Sequence, residues 1–392
     1  MDGLAFIAPP PVTRRAVPVA RPKLPDADTL LPLLRRIDAS RVYANWGPLN
    51  AELERRLSER FNASVVTVST ATDGLTCALR AALEDKPAPQ RRGLCLMPSW
   101  TFVATAHAAL IAGLTPFFLD VEEHNWTLTP ERVRAALTRR PSSWPDLPIS
   151  AVVTVAPFGL PVDPAPWDEF AARTGIPVVI DAAAAFDATR VGAAPVIVSM
   201  HATKTVCAGE GGFVATTDAD LARRVKRAAN FGFFGARVAE VAGLNAKLSE
   251  YHAAVGLASL ADWPPRRAEY LAAGASLRAA LEPLGCAFLP GFARDWVSST
   301  CVLRLPPGRR AGDVALALGL DSVATRAWWG AGCHAHPAFA GLPREDLPVT
   351  ARLADSTLGL PFFPDMEEAD LAGIAHAMAR ALAEPRRRRR AA

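Results

Sequence analysis

The sequence predicts an α/β protein: a large domain built on a mostly parallel sheet flanked by helices, followed by a smaller C-terminal α+β domain. Short apolar, β-branched runs recur at 65–68, 94–97, 116–120, 151–155, 177–180, 195–198 and 213–216, each about the length of a buried strand. Between them lie stretches with helical spacing, such as Leu75, Ala78, Leu79, Ala82 and Leu83, and alternation of strand with helix builds parallel sheets covered on both faces. Past the helix-like segment 252–258, Trp263-Pro264-Pro265 marks a boundary; beyond it the pattern changes to a helix over 266–284, a strand near 299–305, another helix and a strand around 358–361. The expected division is an N-terminal arm at 1–25, a large domain at 26–262, a small domain at 263–384 and a basic tail at 385–392. No period of 20–50 residues recurs, which excludes a repeat protein.

Composition bounds the function. Half of the 392 residues are apolar, ample for a sizeable core, and the formal net charge is only +4. Much of that charge sits in Arg386–Arg390, so the body is near neutral and carries no general nucleic-acid footprint. No apolar run is long enough to cross a bilayer, and the apolar stretch Leu4–Ala8 is too short for the core of a signal peptide. Cys77, Cys95, Cys207, Cys286, Cys301 and Cys333 show no metal-like spacing and read as reduced, mostly buried thiols. A cytoplasmic protein is expected.

In chain order, the proline-rich arm precedes a helical pattern at Leu30, Leu31, Leu33, Leu34 and Ile37, which the loop Tyr43–Pro48 breaks. Trp46 in that loop reads as a packing residue. The strand at 65–68 ends in Ser69-Thr70-Ala71-Thr72-Asp73-Gly74, and a helix starting near Thr72 offers free N–H groups and a dipole to an anion; an ordinary Thr or Asp cap is the alternative. The strand at 94–97 leads to Pro98–Thr105, where Phe102 is either a ring-stacking aromatic or a core residue. Pro157–Pro161 reads as a structural turn.

Two positions carry the chemistry. Lys204 follows the strand at 195–198 inside Ser199-Met200-His201-Ala202-Thr203-Lys204, just before Gly209-Glu210-Gly211-Gly212. A lysine amine condenses with carbonyls when a dry setting disfavours its ammonium form; the ordinary alternative is a solvated loop lysine. Asp181 ends the run Pro177-Val178-Val179-Ile180 and precedes four alanines, a strand delivering one carboxylate to its C-terminal edge. Such a carboxylate needs a cationic partner, of which a protonated pyridine nitrogen is one, or else it caps the next helix.

These blocks, with the later Gly243–Glu250, resemble the DegT-type (DegT/DnrJ/StrS) sugar aminotransferases, from about Val19 to the helix after Asp365. The resemblance implies the fold-type I architecture with pyridoxal 5'-phosphate (PLP) as cofactor. It implies that Lys204 is the Schiff-base lysine, that Asp181 pairs with the ring nitrogen and that Phe102 stacks on the ring. Ala71, Thr72 and Ser199 would then hold the phosphate, joined by Asn245 and Lys247 from a second subunit, so that a homodimer shares its active sites. The implied reaction moves an amino group from an amino acid, by analogy glutamate, to a nucleotide-linked keto sugar for surface polysaccharide or a glycosylated natural product. A cyclic ketone such as a cyclitol, or a non-catalytic binding role, stands as the alternative. The chain departs from the family pattern at Ala71 (usually Gly), at Lys247 (more often Arg) and at Ala184, where a Gln or His commonly contacts the phenolic oxygen. Lys204 itself argues against the sugar-dehydrating branch, which has His there. His201 reads as a structural or site-lining residue. The Phe231–Phe234 cluster reads as a loop facing a sugar or a neighbouring subunit. Arg326, Trp328, Trp329, His334 and His336 fall on a central loop of the small domain, where the paired histidines lack a third ligand for a metal.

Overall fold

The computed structural model describes residues 16–383; the first fifteen residues and the arginine run 386–390 lie outside it. Seven strands, β1 (Ser64–Val68), β2 (Leu94–Pro98), β3 (Thr115–Leu119), β4 (Ile149–Val155), β5 (Val178–Asp181), β6 (Val196–Ser199) and β7 (Gly212–Thr216), form one sheet in the order β1-β7-β6-β5-β4-β2-β3. The pairings among β3, β2, β4, β5 and β6 are parallel, and β7 runs against both β6 and β1. Six strands therefore end at one edge of the sheet, and β7 begins there.

The strand pattern explains how both faces are covered. Val178 and Ile180 of β5, Val196 and Val198 of β6, and Phe213 and Ala215 of β7 enter one core with the helices Pro48–Phe61 and Glu250–Ala261. The alternate residues Val179, Ile197 and Val214 enter a second core under the helices Ala71–Ala82, Val103–Ile111 and Ala219–Ala228. Side chains that alternate along a strand can fill two cores only if every position is apolar, which is why these runs read as continuous apolar blocks.

A smaller antiparallel sheet, β10 (Thr357–Leu360), β9 (Cys301–Arg304) and β8 (Ala287–Phe288), follows in the order β10-β9-β8. The expected helix 266–284 begins earlier, at Trp263, and ends at Leu281 in a short turn. Pro264 and Pro265 open that helix rather than interrupt structure, because first-turn residues have no intrahelical acceptor to lose. Residues 16–25 of the expected arm lie against the small domain: Val17 donates to Ser322 O and accepts from Ala324 N, both at 3.0 Å, and is buried. All six cysteines are buried free thiols, and no helix of the described residues is long and apolar enough to cross a membrane.

One buried carboxylate ties the two sheets together. Asp120, at the end of β3 and fully buried, accepts from Val349 N at 2.7 Å, Thr350 N at 2.8 Å and Thr350 Oγ1 at 2.7 Å. It thus caps the Pro348–Ser356 helix, which has no cap of its own. Asp120→Ala leaves these three donors, and Val121 N, which also donates to Oδ1 at 3.0 Å, without an acceptor and is expected to cost about 3 kcal/mol of stability, read as a lower urea midpoint at unchanged slope; a midpoint equal to wild type would refute the cap.

Candidate active site

Asp181 and Lys204 both stand at the strand-end edge, close enough for their charges to influence each other. Asp181 is the last residue of β5 and only 5% exposed. Its Oδ2 accepts from Thr105 Oγ1 at 2.8 Å and its Oδ1 from Ala183 N at 3.1 Å. Because Ala183 is two residues on and the chain continues in turns, the alternative of a helix cap fails. Thr105 is itself held by Thr101 Oγ1 at 2.7 Å. Lys204 sits in the loop joining β6 to β7, which is closed by hydrogen bonds from Ala202 N to Gly209 O (2.7 Å) and from Ala208 N to Met200 O (2.6 Å). Burial pushes the Asp181 carboxyl above its ordinary value, partly offset by Thr105, Ala183 and the charge of Lys204. Burial likewise holds the Lys204 amine below its ordinary value, and the Asp181 charge partly offsets this. The two groups are near enough to feel each other, and Lys204 is half-buried rather than fully solvated, which argues against an ordinary loop lysine.

An anion cradle adjoins them. The Ala71–Ala82 helix is capped by Thr70, whose Oγ1 accepts from Asp73 N at 3.0 Å, and Ser69 and Thr70 both donate to Asp73 Oδ2. Among the described residues no protein acceptor engages the N–H of Ala71 or Thr72, so these donors are free for an anion. Ser199, largely buried at the end of β6, pairs in register with Gly212. A Cβ on Gly212 would stand 2.8 Å from Val198 O and 3.0 Å from Ala71 N; glycine here lets the hydroxyl of Ser199 and the helix N-terminus share one corner. A phosphate group fits this corner on chemistry and on shape.

Phe102 is 57% exposed at the foot of the Val103–Ile111 helix, so it is not a core residue. Asn245 and Lys247 lie together, Lys247 Nζ donating to Asn245 Oδ1 at 2.5 Å and resting over the Phe231 ring. Between them Ala246 O accepts from Ser69 N at 2.8 Å, which sets the segment beside the cradle of its own chain. Burial lowers the Lys247 amine from its ordinary value. His201 bonds Thr203 Oγ1 through Nδ1 at 2.8 Å and faces Glu210 at 3.5 Å. Trp46 is partly buried, with Lys226 over its ring, consistent with packing.

Beyond Ala184 the wall is aromatic. Phe158, which adopts a φ of 53°, stacks on Trp329 at 3.9 Å, and Trp100 meets Trp329 edge-on at 5.4 Å. Ser298 Oγ donates to Ala184 O at 3.2 Å, so the small domain covers this position through a backbone bond. His334 Nδ1 bonds Ser99 Oγ at 2.7 Å and Cys333 N donates to Ser99 O at 2.7 Å, docking the central loop of the small domain on the end of β2. Burial lowers the His334 imidazole from its ordinary value. Thr101, Thr105 and Ser99 are neighbours of the candidate site that sequence reasoning missed, and Thr105, buried one turn into the helix that Phe102 precedes, carries no local signal of its reach to Asp181.

Compared with known proteins, residues 26–379 match the model of the DegT/DnrJ/EryC1/StrS aminotransferase family. The chain belongs to that family. It is 31% identical over 362 residues to the UDP-N-acetyl-3-dehydro-alpha-D-glucosamine 3-aminotransferase of Acidithiobacillus ferrooxidans, covering 88% of this chain and 91% of the relative. It is 31% identical over 314 residues to the dTDP-3-amino-3,4,6-trideoxy-alpha-D-glucose transaminase of Streptomyces venezuelae, covering 77% and 78%. Among solved structures, a PLP-dependent aminotransferase of Bacillus cereus superposes with a TM-score of 0.86 at 27% identity over 93% of this chain and all of that one. DesI, solved with its TDP-sugar product, gives 0.81 at 33% identity over 94% and 93%. The fold is that of the PLP aminotransferases, and the cofactor of this family member is pyridoxal phosphate.

Proposed function

We propose that the chain transfers an amino group from glutamate to a keto sugar carried on a nucleotide, in the cytoplasm and as a homodimer. The observation that carries this reading is the coupled, desolvated pair of Lys204 and Asp181 beside a helix N-terminus with free donors. The names of the relatives, which act on UDP- and dTDP-linked sugars, supply the acceptor class.

Bound PLP supplies an aldehyde that condenses with amines and a protonated ring that accepts electron density. In this reading Asp181, held by Thr105, keeps a proton on the ring nitrogen. Phe102, exposed at the foot of its helix, would cover the ring, a role suited to a flat π-system. The N–H groups of Ala71 and Thr72 and the Ser199 hydroxyl would bind the phosphate, and Asn245 and Lys247, contributed by the second subunit of the dimer, would add an amide and a charge. Lys204 would serve as general base and acid for the proton at the substrate carbon, a role favoured by burial, which lowers the basicity of its amine from the ordinary value. We take residues 26–262 as the large cofactor-binding domain and 263–384 as the small C-terminal domain.

The test is single-turnover spectroscopy on the purified protein. Glutamate is expected to bleach the yellow cofactor absorbance, and a panel of UDP- and dTDP-linked keto sugars to restore it, with sedimentation at twice the 41.7 kDa chain mass. Restoration by a cyclitol ketone and by no nucleotide-linked sugar would overturn the acceptor assignment, and an absence of bleaching by any amino acid would overturn transamination.

A further inference from the structure

On the small domain, lined by its own residues alone, an open pocket of about 760 Å³ lies between β9 and the Pro348–Ser356 helix. Its size is that of a site for a small metabolite. Arg304, Arg309, Arg310, Arg352 and Asp355 line it. Among the described residues, Arg304 and Arg352 share one carboxylate, Glu123, at 2.6 and 2.8 Å, and Arg310 pairs with Asp355 at 2.9 Å. Three guanidinium groups thus divide two carboxylates. Those pairs are solvent-exposed, with side chains 34–53% accessible, and exposed ion pairs contribute little, so an incoming anion can take over the guanidinium groups at small cost.

A second feature converges on the same space. The ten-residue helix Ala311–Leu320 starts at the pocket's edge: its N-cap position, Arg310, lines the pocket and provides no side-chain cap. Its first N–H groups and the positive end of its dipole lie beside that edge, although residues 311–313 do not line the pocket and Asp313 stands in the same first turn. Planar guanidinium forks and helix N-termini both match the oxygens of a phosphate.

We propose that this pocket binds a metabolite carrying a diphosphate group, at a site separate from amine transfer. None of its residues belongs to the catalytic assignments above, so the proposal stands or falls apart from them. Glu123 lies on the loop after β3, in the large domain, and its partners Arg304 and Arg352 lie in the small one. An occupant that draws on those two arginines competes with this tie between the domains.

The test is calorimetric titration of inorganic pyrophosphate into the cofactor-loaded enzyme, with the cofactor's visible absorbance recorded in parallel to report any binding at the catalytic site. Wild type is expected to bind without a spectral change and to bind more weakly as salt rises. The double variant R310Q/R352Q is expected to lose at least about tenfold in affinity, and Asp355→Asn, which removes a competing carboxylate, to tighten binding by about twofold to fivefold. The opposite directions of the two variants keep the result distinct from a folding defect. UDP run beside pyrophosphate identifies the source: sensitivity to the same variants means that the pocket admits the nucleotide, and insensitivity means that it takes the inorganic form. Absence of pyrophosphate binding, binding unaltered in R310Q/R352Q, or binding that shifts the cofactor spectrum would each overturn the proposal.

Discussion

Lys204→Ala is expected to lower amine transfer by about four orders of magnitude while leaving the fold intact. The reason lies in what one amine is asked to do. It must condense with a carbonyl and later move a proton at the substrate carbon, and positioned acid–base groups alone supply about 10²–10⁴-fold. Burial already holds this amine below its usual basicity, so no neighbouring lysine in water offers the same species. Lys204→Arg should fail almost as badly, because guanidinium neither condenses nor deprotonates near neutral pH. A small exogenous amine such as methylamine is expected to restore part of the proton transfer in Lys204→Ala and none of it in a variant that has lost the fold. Turnover of Lys204→Ala above about a hundredth of wild type would mean that the proton moves by another group, with His201 the nearest imidazole in sequence.

Much of this site was legible in the sequence because its parts are local. The strand-end carboxylate, the Ser199-to-Lys204 loop and the Thr70–Gly74 helix start are each a contiguous run at a strand end, and the sheet then brings the three runs together: β5 pairs with β6, β6 with β7 and β7 with β1. What stayed hidden arises from side chains that meet across long separations. Thr105 reaches Asp181 over 76 residues and His334 reaches Ser99 over 235, and no spacing rule links such positions. Glu250 is a further case: it accepts from Leu49 N and Asn50 N at 2.8 and 2.9 Å and caps the Pro48–Phe61 helix from a distant part of the chain. Gly47 at the cap position has no side chain to do so, and a Cβ there would stand 2.8 Å from Glu250 Cδ. The start of the Trp263 helix was misplaced for a different reason, since two prolines read equally well as a break or as a first turn.

Asp181→Asn is expected to separate activity from stability. Asparagine preserves the shape and can still accept from Thr105 or Ala183, but it brings no negative charge to the ring nitrogen. Losing one preorganised electrostatic partner costs about 10²–10³-fold in rate, and that is the loss expected in amine transfer. Thr105→Val keeps the carboxylate and removes the 2.8 Å hydrogen bond that aims it, so a loss of about tenfold is expected from a charge-assisted bond. Stability should move the other way. Burial raises the Asp181 carboxyl in the folded, cofactor-free protein, so the folded state holds a proton that the unfolded chain releases above the ordinary value of 3.8. That penalty is absent below 3.8, grows as pH rises toward the raised folded value, and is fully present beyond it. Cofactor-free Asp181→Asn is therefore expected to unfold at a urea midpoint equal to or above wild type at neutral pH, while cofactor-loaded wild type regains the lead because bound ligand stabilises only the native state. A cofactor-free variant clearly less stable than wild type, or one retaining wild-type turnover, would mean that Asp181 is a structural carboxylate and that the ring nitrogen takes its proton from another group.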